Sequence, residues 1–243
     1  MRRELATPTS ALAIAAHPDD VEFGCGGTLA KWASKGCIVH HLVCTDGSKG
    51  SWDPSEDTAA LIAVRQDEQR AAAKALGATG EVVFLGHTDG ELQSGLIERE
   101  QVARVIRELT PEAVLGHDPW RRYRLHPDHR HAGLLAVEGI VAARDPHFFP
   151  EQGVAHWRPS TLLLWEADEV DHVEDVTPFV DAKLAALLEH RTQLRSTMHI
   201  EVGAEDEEDQ RERFRRRVVD RLATFGRSAG VAYGEGFKRI DDL

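Results

Sequence analysis

The chain has 243 residues, 42% of them hydrophobic, and a formal net charge of −12 at pH 7. This length suits one α/β domain with a sizeable core. The negative charge repels phosphate backbones and argues against nucleic acid as the main partner. No apolar run approaches the roughly 18–20 residues that span a bilayer, and the apolar stretch 11–16 is too short for a secretion signal. We therefore expect a soluble, cytoplasmic protein without membrane insertion.

Five short segments are apolar at most positions, which is typical of strands buried on both faces of a parallel sheet. They are short and rich in leucine or β-branched residues, whereas helices in such folds are longer. In chain order the predicted strands are ALAIAA (11–16), IVHHLVCT (38–45), EVVFLG (81–86), AVLGH (113–117) and TLLLWEA (161–167).

Helix candidates alternate with these strands. Gly77 is a suitable residue just past a helix end, and Pro127 suits a first helical turn. The alternation implies right-handed crossovers and a Rossmann-like, doubly wound, mainly parallel sheet. We treat residues 1–243 as one α/β domain in which 170–243 form a C-terminal elaboration. The predicted helices are 27–35, 58–76, 96–109, 127–143, 178–198 and 205–229.

The first predicted strand runs directly into His17-Pro18-Asp19-Asp20. In open α/β sheets, ligands bind beyond the carboxyl ends of the strands, so this turn lies where a site is expected. The i, i+3 spacing can bring an imidazole of His17 and a carboxylate of Asp20 to one ion, and both are good zinc ligands. Asp19 then lies close enough to reach a water at that ion. Taken alone, this tetrapeptide fits a solvated acidic turn equally well.

A second cluster, His126-Pro127-Asp128-His129, follows the fourth predicted strand and begins a helix. First and fourth strands are often neighbours at the switch point of such folds, which would bring the two clusters together. Two histidines and one carboxylate leave coordination positions open, which is typical of a catalytic rather than a structural zinc site. Two such clusters at strand exits are much harder to explain by chance than one.

The segment AHPDDVEFGCGGTLA (16–30), together with HPDHR (126–130), resembles the LmbE-like, or PIG-L, family of zinc-dependent N-acetylglucosaminyl deacetylases. Weaker similarity extends over about residues 11–240 and includes TDGSKGS (45–51) and FLGHTDGEL (84–92). The resemblance implies a zinc-dependent hydrolase that removes an N-acetyl group from an amino sugar or sugar conjugate. Its partner would be a small N-acetylated sugar or glycoconjugate, and a homo-oligomer is compatible with the sequence.

The resemblance also implies roles for individual residues. His17, Asp20 and His129 would bind Zn²⁺, and Asp19 would be the general base. Zinc lowers the pKa of water and polarises a carbonyl, which an amide requires at neutral pH.

Four further residues would complete the site by the same resemblance. His126 would face the substrate carbonyl, with Asp128 orienting it. Arg65 and Asp89 would contact sugar hydroxyls.

The segment PWRRYRL (119–125) departs from part of the family. Some members place a mobile tyrosine two residues before the second motif, where this chain has Arg124, with Tyr123 one residue earlier. The sequence leaves open whether either side chain reaches the oxyanion. Tryptophan faces suit pyranose rings, and one of three loop tryptophans is expected to serve as a sugar platform: Trp52, Trp120 or Trp157.

Other activities stay open at this point. An amidase acting on a sugar-linked thiol conjugate would use the same residues. A dinucleotide-binding oxidoreductase is suggested by Gly24-Cys25-Gly26-Gly27, but the G-x-G-x-x-G spacing fails. The ligand set also occurs in non-haem iron oxygenases, and iron is an alternative hydrolytic metal. A metal-binding protein without catalysis would have no need of Asp19 and His126.

Overall fold

The structure is a computed structural model that describes residues 2–3 and 5–243. Its described part contains one eight-stranded sheet with the order β1-β7-β8-β6-β5-β2-β3-β4. The five predicted strands all form, shifted by at most two residues at their ends. The strands are β1 Arg2–Arg3, β2 Ser10–Ala15, β3 Ile38–Thr45, β4 Val82–His87, β5 Ala113–His117, β6 Thr161–Trp165, β7 His172–Asp175 and β8 Gly234–Asp241.

The sheet is mainly parallel, as predicted. β2 pairs in parallel with β3 on one side and with β5 on the other. β8 is the exception and pairs antiparallel with both β6 and β7. From β2 the strand order continues to β3 and β4 on one side and to β5 and β6 on the other. The topological switch point therefore lies between β2 and β5, and the two histidine clusters follow these two strands.

In the described part of the chain, six α-helices flank the sheet. The predicted helices 58–76, 96–109, 127–143 and 205–229 form within two residues of the expected bounds. No helix among the described residues is long and apolar enough to cross a membrane. The helices are α1 Asp20–Ala33, α2 Thr58–Ala75, α3 Leu96–Leu109, α4 Pro127–Arg144, α5 Val180–Leu188 and α6 Glu207–Ala229.

Both faces of the sheet are buried, which explains why the central strands are apolar throughout. Leu12 and Ile14 of β2 belong to a cluster with α3 and α4 on one face. Ala11, Ala13 and Ala15 belong to a cluster with α1, α2 and α5 on the other. Consecutive strand residues point to opposite faces, so every position of β2 from Ala11 to Ala15 is in a core.

The C-terminal part differs from the prediction in detail. The predicted helix 178–198 is interrupted: α5 ends at Leu188, and a π-helical turn follows at Leu194–Met198. At the break, His190 Nε2 contacts Glu22 Oε2 and Thr192 Oγ1 donates to Glu68. These buried polar contacts replace the helical hydrogen bonds that the sequence pattern implied.

The predicted start of the first helix was wrong, because α1 begins at Asp20 rather than at residue 27. The glycine run indicated a loop, but it lies inside the helix and allows close packing. A Cβ at Gly24 would lie 2.6 Å from the Trp165 ring, and one at Gly27 would lie 2.9 Å from Val176. Within α1, only Cys25 has non-helical backbone angles.

We expect Gly24→Ala to destabilise the fold by about 1–3 kcal/mol, because the added methyl overlaps a fully buried indole. Gly26→Ala is the matched control, since its Cβ would meet its nearest neighbour at an ordinary 3.5 Å. Urea unfolding measures both variants. Equal stability of the two would show that the helix does not depend on close contact with Trp165.

Candidate active site

The neighbouring strands β2 and β5 bring the two histidine clusters to one cavity. Only Ala16 separates His17 from the end of β2, and His129 lies in the first turn of α4, after β5. The cavity has a volume of about 730 Å³, within the range of small-molecule sites. Its polar end is lined by His17, Asp19, Asp20, Asp89, His126 and His129.

Asp20 contacts both histidines that the sequence paired with it. Its Oδ2 lies 3.3 Å from His17 Nδ1, and its Oδ1 lies 3.3 Å from His129 Nε2. Oδ2 also accepts the His17 backbone N–H at 2.8 Å. Burial opposes ionisation of this carboxyl, but the imidazoles of His129 and His117 hold the pKa of Asp20 well below its usual range.

The second nitrogen of His17 faces two other carboxylates. His17 Nε2 lies 3.1 Å from Asp89 Oδ1 and 3.1 Å from Asp128 Oδ2. Carboxylates accept, so Nε2 carries a proton, and in the neutral ring Nδ1 would have the lone pair that an ion beside Asp20 could bind. Asp128 was predicted to orient His126, and Asp89 was predicted to contact substrate. In the structure both carboxylates contact His17, and Asp89 also lines the cavity.

Three overlapping groups have donor atoms that all lie within 4.8 Å of one another: His17, His126 and His129; Asp20, His117 and His129; and His17, Asp89 and Asp128. The predicted trio of His17, Asp20 and His129 is not one of them, and Asp20 contacts the two histidines with different oxygens. Donors about 2.0–2.2 Å from one ion lie roughly 3–3.5 Å apart, which both 3.3 Å contacts match. These nitrogen and oxygen donors fit a metal ion.

Asp19 lies at the cavity wall in an unusual backbone conformation, with φ of 102°. Its N–H donates to Gln69 Oε1 at 3.0 Å, which fixes the turn. Burial raises the pKa of Asp19 to about 6, while the nearby Arg65 guanidinium acts in the opposite direction. A carboxyl with that pKa is matched to accepting a proton near neutral pH.

Arg65 is buried beside Asp19 and holds two loops together. Its Nη2 donates to the Pro18 carbonyl at 2.7 Å, and its Nη1 donates to the Gly47 carbonyl at 2.8 Å. Its Nη2 lies 3.7 Å from Asp19 Oδ2. The side chain also lines the cavity, and these two contacts use one N–H of each terminal nitrogen.

His126 lies at the open side of the site. Its ring is 4.6 Å from that of His17 and stacks on His129 at 4.9 Å between centroids. Burial and the neighbouring imidazoles lower its pKa, so the ring is neutral at pH 7. Of the two residues in the departing segment, Tyr123 is exposed, whereas Arg124 is buried against His129 and Glu166.

The three loop tryptophans differ in placement. Trp52 is 86% exposed and lines the cavity. Trp120 is exposed and lies outside the cavity lining. Trp157 donates to the Pro111 carbonyl and packs against the core, so it stabilises its own loop.

His117 is a site residue that the sequence analysis missed. It is the last residue of β5 and is buried, with Nε2 lying 3.2 Å from Asp20 Oδ2. Burial lowers its pKa to about 4, so the ring is neutral. Its position at a strand exit was the available signal, but it stands apart from the HPDH motif.

Known proteins resemble the chain over nearly its whole length. The family model described as PIG-L, GlcNAc-PI de-N-acetylase, matches residues 12–140. Diacetylchitobiose deacetylase of Thermococcus kodakarensis is 31% identical over 96% of this chain and 83% of its own length. A 1D-myo-inositol 2-acetamido-2-deoxy-alpha-D-glucopyranoside deacetylase of Streptomyces avermitilis is 31% identical over 75% of this chain and 82% of its own.

The fold agrees with these similarities. N,N'-diacetylchitobiose deacetylase from Pyrococcus horikoshii superposes with a TM-score of 0.84 and 30% identity, covering 96% of this chain and 84% of that one. The chain belongs to the PIG-L family, whose model spans more than half of it, and the relatives named above are all deacetylases. The family resemblance inferred from the two motifs is confirmed.

We expect Arg65→Met to destabilise the substrate-free protein by about 1–3 kcal/mol for each carbonyl left without its donor. Arg221→Met is the control, because Arg221 lines the same cavity but is half-exposed; its unfolding should change by less than about 0.5 kcal/mol. Urea unfolding without ligand measures both. Wild-type stability of Arg65→Met would show that the two loop carbonyls do not depend on Arg65; its predicted contact with sugar hydroxyls is a separate question.

Proposed function

We propose that the chain is a metal-dependent hydrolase that removes an N-acetyl group from an amino sugar or sugar conjugate. The observation that carries this proposal is the contact of Asp20 with both His17 and His129 in a cavity that Asp19 also lines. The deacetylase names of the relatives support the same reaction. The substrate would be a small N-acetylated molecule rather than a macromolecule.

His17 Nδ1, Asp20 and His129 Nε2 are the donors that we propose for the ion. Zn²⁺ held there would lower the pKa of water and polarise the amide carbonyl. Asp89 and Asp128 support this arrangement because they fix the tautomer of His17, as carboxylates beside metal-binding histidines commonly do. Iron bound by the same donors stays an alternative to zinc.

Asp19 would accept the proton of the attacking water. Its carboxylate adjoins the proposed ligand Asp20 and is held by the Gln69 contact to its backbone. Arg65, 3.7 Å away, stabilises the ionised form before the proton arrives. The later protonation of the leaving amine would fall to Asp19 or His126, both of which line the cavity.

His126 would donate to the carbonyl oxygen as negative charge develops there. Its neutral ring lines the cavity 4.6 Å from the ring of His17, so an acetamido group bound beside His17 would be within its reach. A preorganised donor of this kind typically contributes roughly 10²–10³ in kcat. Trp52 is the aromatic face at the same cavity, and we propose it as the platform for a sugar ring.

The structure disfavours a dinucleotide at the glycine run. Gly24 lies against Trp165, and Gly27 lies against Val176 and Glu235, so the backbone that would approach a pyrophosphate is covered by side chains. Glu235 also accepts the Gly27 and Thr28 N–H groups that a phosphate would need. An amidase acting on a thiol conjugate is the same chemistry with a different aglycone. The cytoplasmic location expected from the sequence stays a prediction.

We expect the zinc-loaded protein to release acetate from N-acetylglucosaminides such as N,N'-diacetylchitobiose. The assay measures acetate and free amine over a panel that also contains N-acetylated amino acids. Release of acetate and free amine in equal amounts from the sugars, and no release from the amino acids, supports the proposal. Failure on every sugar with release from the amino acids would contradict it.

Asp20→Ala and Asp19→Asn should separate metal binding from proton transfer. Asp20→Ala removes a donor, so zinc content and activity should both fall. Asp19→Asn keeps the size but removes the proton acceptor, so zinc should stay while kcat falls by about 10²–10⁴-fold. Zinc stoichiometry and acetate release are measured on each variant.

The two adjacent aspartates control for each other. Loss of zinc from Asp19→Asn with retention by Asp20→Ala would show that the roles are exchanged. Full activity of Asp19→Asn would show that the proton goes elsewhere.

A further inference from the structure

His117 is held between a donor and an acceptor. Its Nδ1 receives the indole N–H of Trp165 at 3.0 Å, and its Nε2 lies 3.2 Å from Asp20 Oδ2. Trp165 and His117 are both almost fully buried. Trp165 is itself packed against Gly24, so its indole cannot turn away without displacing α1.

These contacts determine the tautomer of His117. An indole nitrogen only donates, so His117 Nδ1 must accept. In the neutral ring the proton is then on Nε2, where it is donated to the Asp20 carboxylate. The other groups near Nδ1 are Arg124 Nη1 at 3.4 Å, which is also a donor, and Glu166 Oε2 at 4.0 Å, which is beyond hydrogen-bonding distance.

The same reasoning separates the three histidines that contact Asp20. His17 Nε2 is held by Asp89 and Asp128, so Nδ1, 3.3 Å from Asp20 Oδ2, is the nitrogen that is available to an ion once the ring is neutral. His129 Nδ1 faces Arg124 Nη1 at 3.2 Å, but that long side chain also has Glu166 Oε2 at 2.8 Å as a charged acceptor. Arg124 Nη1 therefore keeps a charged acceptor if His129 Nδ1 carries the proton, whereas the Trp165 indole has His117 as its hydrogen-bond partner among the described residues.

We propose that Trp165 and His117 are positioning residues: the indole fixes the Nε2–H tautomer of His117, which orients Asp20 and excludes His117 itself from the metal. This inference rests on the proposed function, because it assumes that Asp20 binds the ion. We call the chain of hydrogen bonds from Trp165 through His117 to Asp20 the relay. It leaves His17 and His129 as the imidazole ligands, although His117 also lies close enough to Asp20 and His129 to share an ion with them. Ligating carboxylates are commonly held by such hydrogen bonds, and losing them typically costs about 10–100-fold in metal affinity.

Trp165→Phe tests the relay, with Trp32→Phe as the matched control. Trp32 is equally buried, but its indole nitrogen has no hydrogen-bond partner among the described residues. Histidine ¹⁵N NMR of the metal-free protein reads the tautomer, with the His117 signals assigned by their loss in His117→Leu. We expect the Nε2–H form in the wild type and in Trp32→Phe, and a shift toward Nδ1–H in Trp165→Phe.

Competition with a chelator then measures zinc affinity. Trp165→Phe should bind zinc about 10–100-fold more weakly than Trp32→Phe. When His117→Leu is already present, adding Trp165→Phe should not lower the zinc affinity further, because the relay is already broken. A purely structural effect of Trp165 would persist in that background and would overturn the proposal.

Two further results would contradict the inference. One is an Nδ1–H tautomer of His117 in the wild-type protein, and the other is unchanged zinc affinity in Trp165→Phe. Failure of the proposed function is seen separately, as a wild-type protein that binds no zinc or releases no acetate while its His117 tautomer is as described.

Discussion

The parallel pairing of β2 with β5 is the constraint on which the site depends. Both strands end at the same edge of the sheet, so the turn at His17 and the helix that begins at Pro127 meet there. The proposed metal site needs both clusters, because the carboxylate of Asp20 comes from one and the imidazole of His129 from the other. The glycine run in α1 supports this geometry, since it allows the helix that begins at Asp20 to lie directly against Trp165.

The buried charges at this edge are stabilised by one another rather than by water. Asp20 has three imidazoles within about 3.3 Å, and His17 has carboxylates on both nitrogens. Unpaired burial of any of these groups would cost several kcal/mol. The protein therefore holds the donors close together before an ion arrives, and the hydrogen bonds behind them decide which nitrogen of each ring is available.

The sequence predicted the sheet well because its central strands are buried on both faces, a pattern that few other folds produce. It also predicted the residues that meet in the cavity, because the HPDD and HPDH motifs stand directly at strand exits. It could not predict the contacts of Asp128 and Asp89 with His17 or the relay through His117. Those depend on strand register and on Trp165, which is 48 residues from His117 along the chain. The start of α1 was missed because glycines that serve close packing resemble glycines that serve a turn.

The central claim is that a metal ion binds on the Nδ1 side of His17. A crystal structure of the zinc-loaded protein, with anomalous scattering at the zinc edge, tests it most directly. We expect one peak about 2.0–2.2 Å from His17 Nδ1, a carboxylate oxygen of Asp20 and His129 Nε2, with His117 directed at Asp20. A peak on the opposite side of the ring, bound by His17 Nε2, Asp89 and Asp128, would contradict it.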